Sequence, residues 1–304
     1  MRYSMKKQFF PSPFSHELAI TTSIGCRNNC SYCPQDRLIA AYRRRSSVNR
    51  LTLEMFKQYL AKVPPYVDIH FSGMTEPWLN LQCTDMAIHA HQSGHKLAAY
   101  TSLVGMRPPD IARLAAIPFK RFSVHVPSAG GHETIALDEN YLEVLQQLLS
   151  SDIKATYHYH TGKLHPGLQA LLGDRAGSAT LSTRASNTVL QGQSPPLHHR
   201  GTLRCSTNLR TNILLPNGDV LVCCMDWSMK HILGNLASSN YAALYRSQEF
   251  LRVKRGLKDS SSDVLCRSCD TAEDFSWRER LRYHTDIRRY AGAIYRLCAR
   301  LWQA

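Results

Sequence analysis

The chain has 304 residues, of which 43% are hydrophobic and 20% charged, and this composition excludes an intrinsically disordered protein. Its 37 Lys and Arg against 23 Asp and Glu give a net charge of +14, so we expect an anionic partner such as a phosphorylated substrate, nucleic acid or anionic lipid. The sequence has no long apolar run and no secretory signal, which predicts a cytoplasmic protein without a spanning helix. In a reducing compartment, its ten cysteines indicate metal or redox chemistry rather than disulfides.

Short apolar segments alternate with helical patterns through the first two thirds of the chain. Strands are predicted over residues 17–25, 67–73, 96–104, 121–127, 154–160 and 179–185. Helical patterns lie between them, over residues 51–63, 81–94, 108–116, 141–150 and 166–172. Parallel βαβ units produce this alternation, and six units are too few for a closed eight-stranded barrel. The predicted fold class is therefore α/β, with a partial (β/α)6 TIM-like barrel over residues 1–190.

The pattern changes after a polar loop. Two short strands, 212–215 and 220–223, flank the turn Pro216-Asn217-Gly218-Asp219, which predicts a hairpin. A helix is predicted over 241–255, and residues 276–304 predict a basic, amphipathic C-terminal helix. We therefore expect a small α+β domain over residues 191–275. The C-terminal helix either packs on the barrel or makes a peripheral contact with an anionic membrane.

Three cysteines follow the first predicted strand within eight residues: Cys26, Cys30 and Cys33. Sites in parallel α/β sheets lie at the carboxyl ends of the strands, which is where this segment falls. Three thiolates can hold an iron–sulfur cluster and leave one iron without a protein ligand. A zinc site would need a fourth ligand nearby, and none is evident in the sequence.

This spacing, with Tyr32 before the third cysteine, resembles the radical S-adenosylmethionine (AdoMet) superfamily. The resemblance implies that Cys26, Cys30 and Cys33 hold a [4Fe–4S] cluster whose open iron binds AdoMet. Reductive cleavage of AdoMet would then give a 5′-deoxyadenosyl radical, which takes a hydrogen atom from the substrate. It also implies that Tyr32 lies near the adenine.

The segment Ser72-Gly73-Met74-Thr75-Glu76-Pro77, at the end of the second predicted strand, resembles the Gly-Gly-Glu-Pro segment of the same superfamily. The resemblance implies that Ser72, Gly73 and Glu76 bind the amino group of AdoMet. An acidic side chain suits an ammonium group, and glycine lets the backbone approach a ligand closely. Met74 and Thr75 stand where the family has its two glycines.

Polar residues on later strands are further candidates. Thr101 ends the third predicted strand, Ser123 shares a face of the fourth with His125, and Arg184 lies on the sixth. By resemblance, such groups contact the ribose and the carboxylate of AdoMet, and the planar guanidinium of arginine suits a carboxylate.

A second set of cysteines comprises Cys205, Cys223, Cys266 and Cys269. Four thiolates suit either a tetrathiolate zinc ion or a fully ligated [4Fe–4S] cluster. The spacing Cys-x12-Gly-x4-Cys, followed by Cys-x2-Cys, resembles the twitch domain, a shortened SPASM domain, and implies one auxiliary [4Fe–4S] cluster. Cys224 is then a substrate-side or core thiol. Asp226 is the candidate acceptor of a substrate proton.

The resemblance implies oxidation or epimerisation of a sugar, cyclitol or related polar metabolite, because twitch enzymes that oxidise an aminocyclitol are the most similar type. Epimerisation would need a hydrogen-atom donor, for which Cys224 is the candidate. The alternatives are a peptide-modifying maturase and, in another class, a non-catalytic iron–sulfur or zinc protein. The expected partners are a small substrate, possibly anionic, and reduced flavodoxin or ferredoxin as electron donor. No module for sequence-specific nucleic-acid binding is recognisable.

Overall fold

The computed structural model describes residues 16–160, 162–188, 198–205 and 208–275. The predicted C-terminal helix, and with it the predicted membrane contact, lies outside these residues. Among the described helices, none combines the length and the apolar character needed to cross a lipid bilayer.

Six parallel strands in chain order form the larger part of one sheet. They are β1 (Glu17–Ile20), β2 (Asp68–Phe71), β3 (Leu97–Thr101), β4 (Arg121–His125), β5 (Ala155–Tyr159) and β6 (Ala176–Ser178). The connecting helices are α1 (Gln35–Arg43), α2 (Leu53–Leu60), α3 (Cys83–Gln92), α4 (Pro108–Leu114), α5 (Glu139–Ser150) and α6 (Gln169–Leu172). This arrangement of six parallel strands with five helical connections confirms the predicted α/β fold class.

Local sequence explains where these helices begin and which face they bury. The Thr52 side chain accepts a hydrogen bond from the backbone N–H of Met55 and so caps α2, and Asp138 caps α5 in the same way. Along α5 the buried residues recur at helical spacing: Tyr141, Val144, Leu145 and Leu148. This apolar face packs into a continuous core with the buried strands.

The second part of the chain continues the same sheet. Its strands are β7 (Leu203–Arg204), β8 (Thr211–Leu214), β9 (Asp219–Leu221), β10 (Ile232–Asn235) and β11 (Glu273–Asp274). Strand β8 runs parallel to β1, with Ile20 opposite Leu214, and β9 and β10 follow it in antiparallel order. Strands β7 and β11 pair separately. The predicted hairpin therefore extends the sheet at the edge formed by β1.

Two predicted elements are wrong in detail. The sixth strand covers Ala176–Ser178 rather than 179–185, because the later residues enter a turn with left-handed backbone. The single helix predicted over 241–255 is two helices, α7 (Tyr241–Leu244) and α8 (Gln248–Gly256). The Ser247 side chain accepts a hydrogen bond from the backbone N–H of Phe250, which starts a new helix there.

Candidate active site

The first cysteine loop connects β1 to α1, and all three thiols line one cavity. Cys30 and Cys33 share a hydrogen bond that raises the pKa of the Cys30 thiol and lowers that of the Cys33 thiol. Burial raises the pKa of the Cys26 thiol. Within the described ranges, no three His, Cys, Asp or Glu side chains are grouped as ligands of a single metal ion. Three thiols on one cavity wall fit ligands that each bind a separate iron of a cluster.

Glu76 lies on the wall of this cavity and is buried. Its carboxylate accepts hydrogen bonds from the Thr101 hydroxyl (2.7 Å), the Ser102 backbone N–H (2.6 Å) and the Ser102 hydroxyl (2.7 Å). Burial raises the pKa of Glu76, and these hydrogen bonds act in the opposite direction. The ion pairs of the described residues include none to Glu76, so this site can accept a cationic group from a ligand.

The backbone before Glu76 packs closely against the segment that follows β1. Gly73 has φ +80°, and a Cβ atom there would lie 2.4 Å from the Thr21 hydroxyl. The Met74 backbone N–H donates to that hydroxyl, and the Thr75 hydroxyl donates to the Ser23 carbonyl. The two residues that replace the family's glycines are therefore held by contacts to the segment after β1, and Glu76 keeps its place at the cavity.

Tyr32 lies on the cavity wall near the ends of β4 and β5. Its hydroxyl donates a hydrogen bond to Glu133 (2.9 Å), and its ring makes an edge-on contact with His160 at 5.1 Å between centroids. His160 in turn shares a 2.8 Å hydrogen bond with His125. Burial, followed by the neighbouring histidines, lowers the pKa of His125 to about 3, so this pair is uncharged near neutral pH.

The structure places most of the predicted cofactor-binding residues together. Ser72, Gly73, Thr101 and Arg184 line the same cavity as Glu76, whereas Ser123 is buried without lining it. Three further side chains also line the cavity: Ser102, His125 and His160. Two-residue alternation on β4 had placed Ser123 and His125 on one face, but it does not tell which of the two reaches the cavity.

Several cavity-lining side chains keep an unpartnered polar atom. Within the described residues, Asn28 Oδ1, Gln35 Oε1 and Arg184 Nε are buried and have no hydrogen-bond partner. Buried polar groups are normally hydrogen-bonded, so these atoms suit a polar ligand that would supply the missing hydrogen-bond partners. The donors and acceptors present thus suit AdoMet, which carries an ammonium, a carboxylate and ribose hydroxyls.

The second set of cysteines lies on three separate segments. Cys205 follows β7, Cys223 follows β9, and Cys266 and Cys269 occupy and end a 3-10 turn, Leu265–Ser268. Burial, followed by the charges of Cys269 and Cys205, raises the pKa of Cys266 to about 12. Burial also raises the pKa of Cys223, to which the neighbouring Cys266 contributes. Cys266 therefore lies within range of the charges of the other thiols, but within the described residues no three of them are grouped as ligands of one metal ion.

Cys224 borders both regions. It lines the cavity of the first cysteine loop. Its pKa is raised to about 11 by burial, with Arg184 acting to lower it and Cys269 and Cys205 to raise it. Strand β9 ends at Leu221, so strand alternation does not govern the directions of Cys223 and Cys224. Cys224 therefore lies on the cavity side.

Two sequence predictions need correction here. Arg184 does line the cavity, but from a turn beyond β6 rather than from a strand. Asp226 is fully buried, is not part of the cavity wall, and uses both oxygens to accept hydrogen bonds from the backbone N–H groups of Lys230 and His231, each at 2.7 Å. Asp226 therefore shapes the loop after the cysteines and is not placed to accept a substrate proton.

Residues 205–270 match the family model SPASM, an iron–sulfur cluster-binding domain. A comparison with curated proteins by sequence gave no match.

The structure is similar to three solved structures at low sequence identity. BtrN in complex with AdoMet and 2-DOIA has a TM-score of 0.55 at 15% identity, over 84% of this chain and 93% of that chain. SuiB of Streptococcus suis bound to precursor peptide SuiA has a TM-score of 0.60 at 13% identity, over 84% and 70% of the two chains. The enzyme anSMEcpe with bound AdoMet has a TM-score of 0.52 at 13% identity, over 94% and 99%.

These neighbours are radical AdoMet enzymes with SPASM or twitch domains, and the chain has their fold. Its residues 205–270 form an iron–sulfur domain of the SPASM type. The predicted fold and the iron–sulfur domain predicted from the second set of cysteines are therefore confirmed.

Proposed function

We propose that the protein is a radical AdoMet enzyme with an auxiliary [4Fe–4S] cluster, acting on a sugar, cyclitol or related polar metabolite. The observation that carries the proposal is one cavity lined by Cys26, Cys30, Cys33 and the buried, hydrogen-bonded Glu76. The first three would hold the cluster that binds AdoMet. When bound and reduced, this pair supplies the 5′-deoxyadenosyl radical.

The cavity residues have separate roles in this proposal. Glu76 pairs with the ammonium group of AdoMet. The Thr101 hydroxyl holds the Glu76 carboxylate in place by donating a hydrogen bond to it. Arg184 binds the carboxylate of AdoMet through the guanidinium that lacks a partner at Nε. Tyr32, held by Glu133, packs near the adenine. The uncharged pair of His125 and His160 can accept and donate hydrogen bonds to substrate hydroxyls.

The auxiliary cluster would be held by Cys205, Cys223, Cys266 and Cys269. Cys224 and Arg184 lie between this region and the AdoMet cavity, so a substrate bound beside them is close to both. A cluster held by these four cysteines would supply an acceptor for an electron from the substrate, which is the chemistry that oxidation needs. BtrN, whose structure contains AdoMet and 2-DOIA, is matched over 93% of its length, in keeping with a small polar substrate.

Epimerisation is the variant of this proposal in which Cys224 would return a hydrogen atom to the substrate radical. The resulting thiyl radical would then regain its electron from the reduced auxiliary cluster and its proton from water. The position of Cys224 on the cavity wall supports that variant. A peptide-modifying activity is the second candidate function. SuiB, crystallised with its precursor peptide, has a TM-score of 0.60 to this chain.

The test is 5′-deoxyadenosine formation by anaerobically reconstituted protein with AdoMet and dithionite, and then with reduced flavodoxin or ferredoxin. The control is the triple variant Cys26→Ala/Cys30→Ala/Cys33→Ala. We expect the wild type to form deoxyadenosine and the triple variant to form none. Iron-free protein that holds zinc after reconstitution would instead support the non-catalytic alternative.

A second step separates the substrate classes. Candidate cyclitols, sugars and peptides are each added, and the products are analysed by mass spectrometry in deuterated water. Loss of two hydrogens from a polyol indicates oxidation, and uptake of one deuterium without a change in oxidation state indicates epimerisation. Stimulation of deoxyadenosine formation by peptides alone would favour the maturase.

A further inference from the structure

Three consecutive residues, Arg184, Ala185 and Ser186, have left-handed backbone with φ of 51°, 53° and 62°. None is a glycine, and the left-handed region is unfavourable for residues that carry a Cβ atom. Such strain persists where the surrounding structure enforces it, and it clusters at functional sites. Among the described residues that line the cavity, the first of the three, Arg184, is the one arginine or lysine.

The side chain of Asn187 holds this turn. Its Nδ2 donates to the Arg184 carbonyl (2.7 Å) and to the Met225 carbonyl (3.1 Å), and its Oδ1 accepts from the Ser228 hydroxyl (2.8 Å). The residue is 8% exposed. One buried amide thus joins the Arg184 turn to the segment that follows Cys223 and Cys224.

The other side of the turn is tied to the second cysteine loop. The Thr183 backbone N–H donates to the Asp270 carboxylate (2.7 Å), and the Ser186 hydroxyl donates to the Ser268 carbonyl (3.1 Å). Ser268 and Asp270 flank Cys269. The turn therefore bridges both cysteine-bearing loops of the SPASM domain to the cavity.

We propose that Asn187 is a positioning residue that holds the Arg184 guanidinium in the cavity for a carboxylate ligand, and that the two cysteine loops share in this control. The inference rests on the proposed function, in which that ligand is AdoMet. In this proposal the strained turn connects the two cysteine loops of the SPASM domain to the AdoMet site through its hydrogen bonds. Folding of both cysteine loops around their cluster would then strengthen AdoMet binding.

The test measures AdoMet binding by equilibrium dialysis, together with iron content, on reconstituted full-length protein. Asn187→Ala and Arg184→Ala should each weaken AdoMet binding about tenfold or more, since each removes the same charge-assisted contact. The double variant should bind no more weakly than Arg184→Ala, because the two residues act through one contact. Ser228→Ala, which removes a single hydrogen bond from Asn187, should give a smaller loss.

Two further variants separate positioning from simple stability. Asn235→Ala is the matched control, since Asn235 also makes three hydrogen bonds with its side chain but lies on β10 outside the cavity wall. It should leave AdoMet binding unchanged. Ala185→Gly in the Asn187→Ala background should restore binding, because glycine adopts the left-handed turn without the Cβ penalty.

The outcomes distinguish this inference from the proposed function. Wild-type affinity in Asn187→Ala, or a double variant whose loss is the product of the single losses, would overturn the positioning role while the enzyme proposal stands. A reconstituted wild-type protein that holds iron and binds no AdoMet would overturn both.

Discussion

The Ser102 backbone N–H donates a 2.6 Å hydrogen bond to the carboxylate of Glu76, and the Ser102 hydroxyl donates to the same oxygen at 2.7 Å. These bonds connect the end of β3 to the segment that follows β2, across neighbouring parallel strands. Glu76 is thus fixed before any ligand arrives, and its orientation costs nothing further on binding.

Replacing Glu76 with glutamine should weaken AdoMet binding about tenfold or more, because a buried charge-assisted contact to the ammonium group is lost. The similar shape of glutamine keeps the cavity wall intact. Equilibrium dialysis of the reconstituted variant measures the effect. The exposed Glu54→Gln on α2 serves as control, and equal AdoMet affinity in the two variants would contradict the assigned role of Glu76.

Gly73 has no room for a side chain. In Gly73→Ala, the new Cβ would lie 2.4 Å from the Thr21 hydroxyl and 2.9 Å from Thr21 backbone atoms. Gly94 has a similar φ, +87°, but no atom within 4 Å of a built Cβ. Gly94→Ala should therefore cost about 1 kcal/mol of backbone strain, and Gly73→Ala at least about 1 kcal/mol more. Urea denaturation gives the free energies of unfolding, and equal losses in the two variants would argue against the close contact.

Sequence predicted the parts of the site that depend on spacing along the chain. The cysteines of the first loop are close in sequence, and Glu76 follows the next strand, so βα topology alone brings them to one edge. Five of the six strands could likewise be placed, because buried parallel strands have apolar runs of recognisable length.

What the sequence did not predict depends on contacts between distant segments. The pairing of β8 with β1 joins residues about two hundred positions apart, and no local pattern encodes it. The left-handed turn at Arg184 carries no glycine, which is the usual sign of such a backbone. The role of Asp226 was misassigned because its partners, Lys230 and His231, bond through backbone groups that the sequence does not mark.

His125 predicts a pH dependence of stability. Burial and the neighbouring histidines lower its pKa from 6.5 to about 3 in the folded protein. Between these values the unfolded chain binds a proton that the folded chain does not, so stability falls as pH drops through 6.5. The slope from this group is at most about 1.4 kcal/mol per pH unit.

The check is urea unfolding at about pH 5 and about pH 7 for the wild type and His125→Asn. The variant should lose less stability on acidification than the wild type, because it lacks this proton-binding group. His160 also has a lowered pKa through burial, so part of the dependence should remain. An identical slope in both proteins would mean that His125 is solvated and titrates normally.

Arg267 lies between Cys266 and Cys269, and its guanidinium is buried. It donates hydrogen bonds to the carbonyls of His199, Gly201 and Gly256. Arg267→Met should leave these carbonyls without hydrogen-bond donors and destabilise the protein by about 3 kcal/mol. The auxiliary cluster should then be released, which removes about half of the bound iron. Iron analysis after reconstitution measures this. Arg252→Met, which removes partly exposed ion pairs with Glu249 and Asp263, should cost about 1 kcal/mol or less and retain the iron. Full iron retention in Arg267→Met would contradict the prediction.

Cys223 and Cys224 are adjacent, and their different surroundings predict different roles. Cys223 is buried near Cys266 and has the spacing typical of the SPASM family, whereas Cys224 lines the AdoMet cavity beside Arg184. Cys223→Ser should therefore lose about half of the bound iron, and Cys224→Ser should keep it.

Deoxyadenosine formation adds a second readout to this pair. Cys224→Ser should still cleave AdoMet, because the first cluster and Glu76 are untouched. If the enzyme is an epimerase, this variant should form deoxyadenosine without forming the epimer, since the thiol that returns hydrogen is gone. The reverse iron result, with loss in Cys224→Ser and retention in Cys223→Ser, would make Cys224 the cluster ligand and leave the cavity without a thiol for hydrogen return.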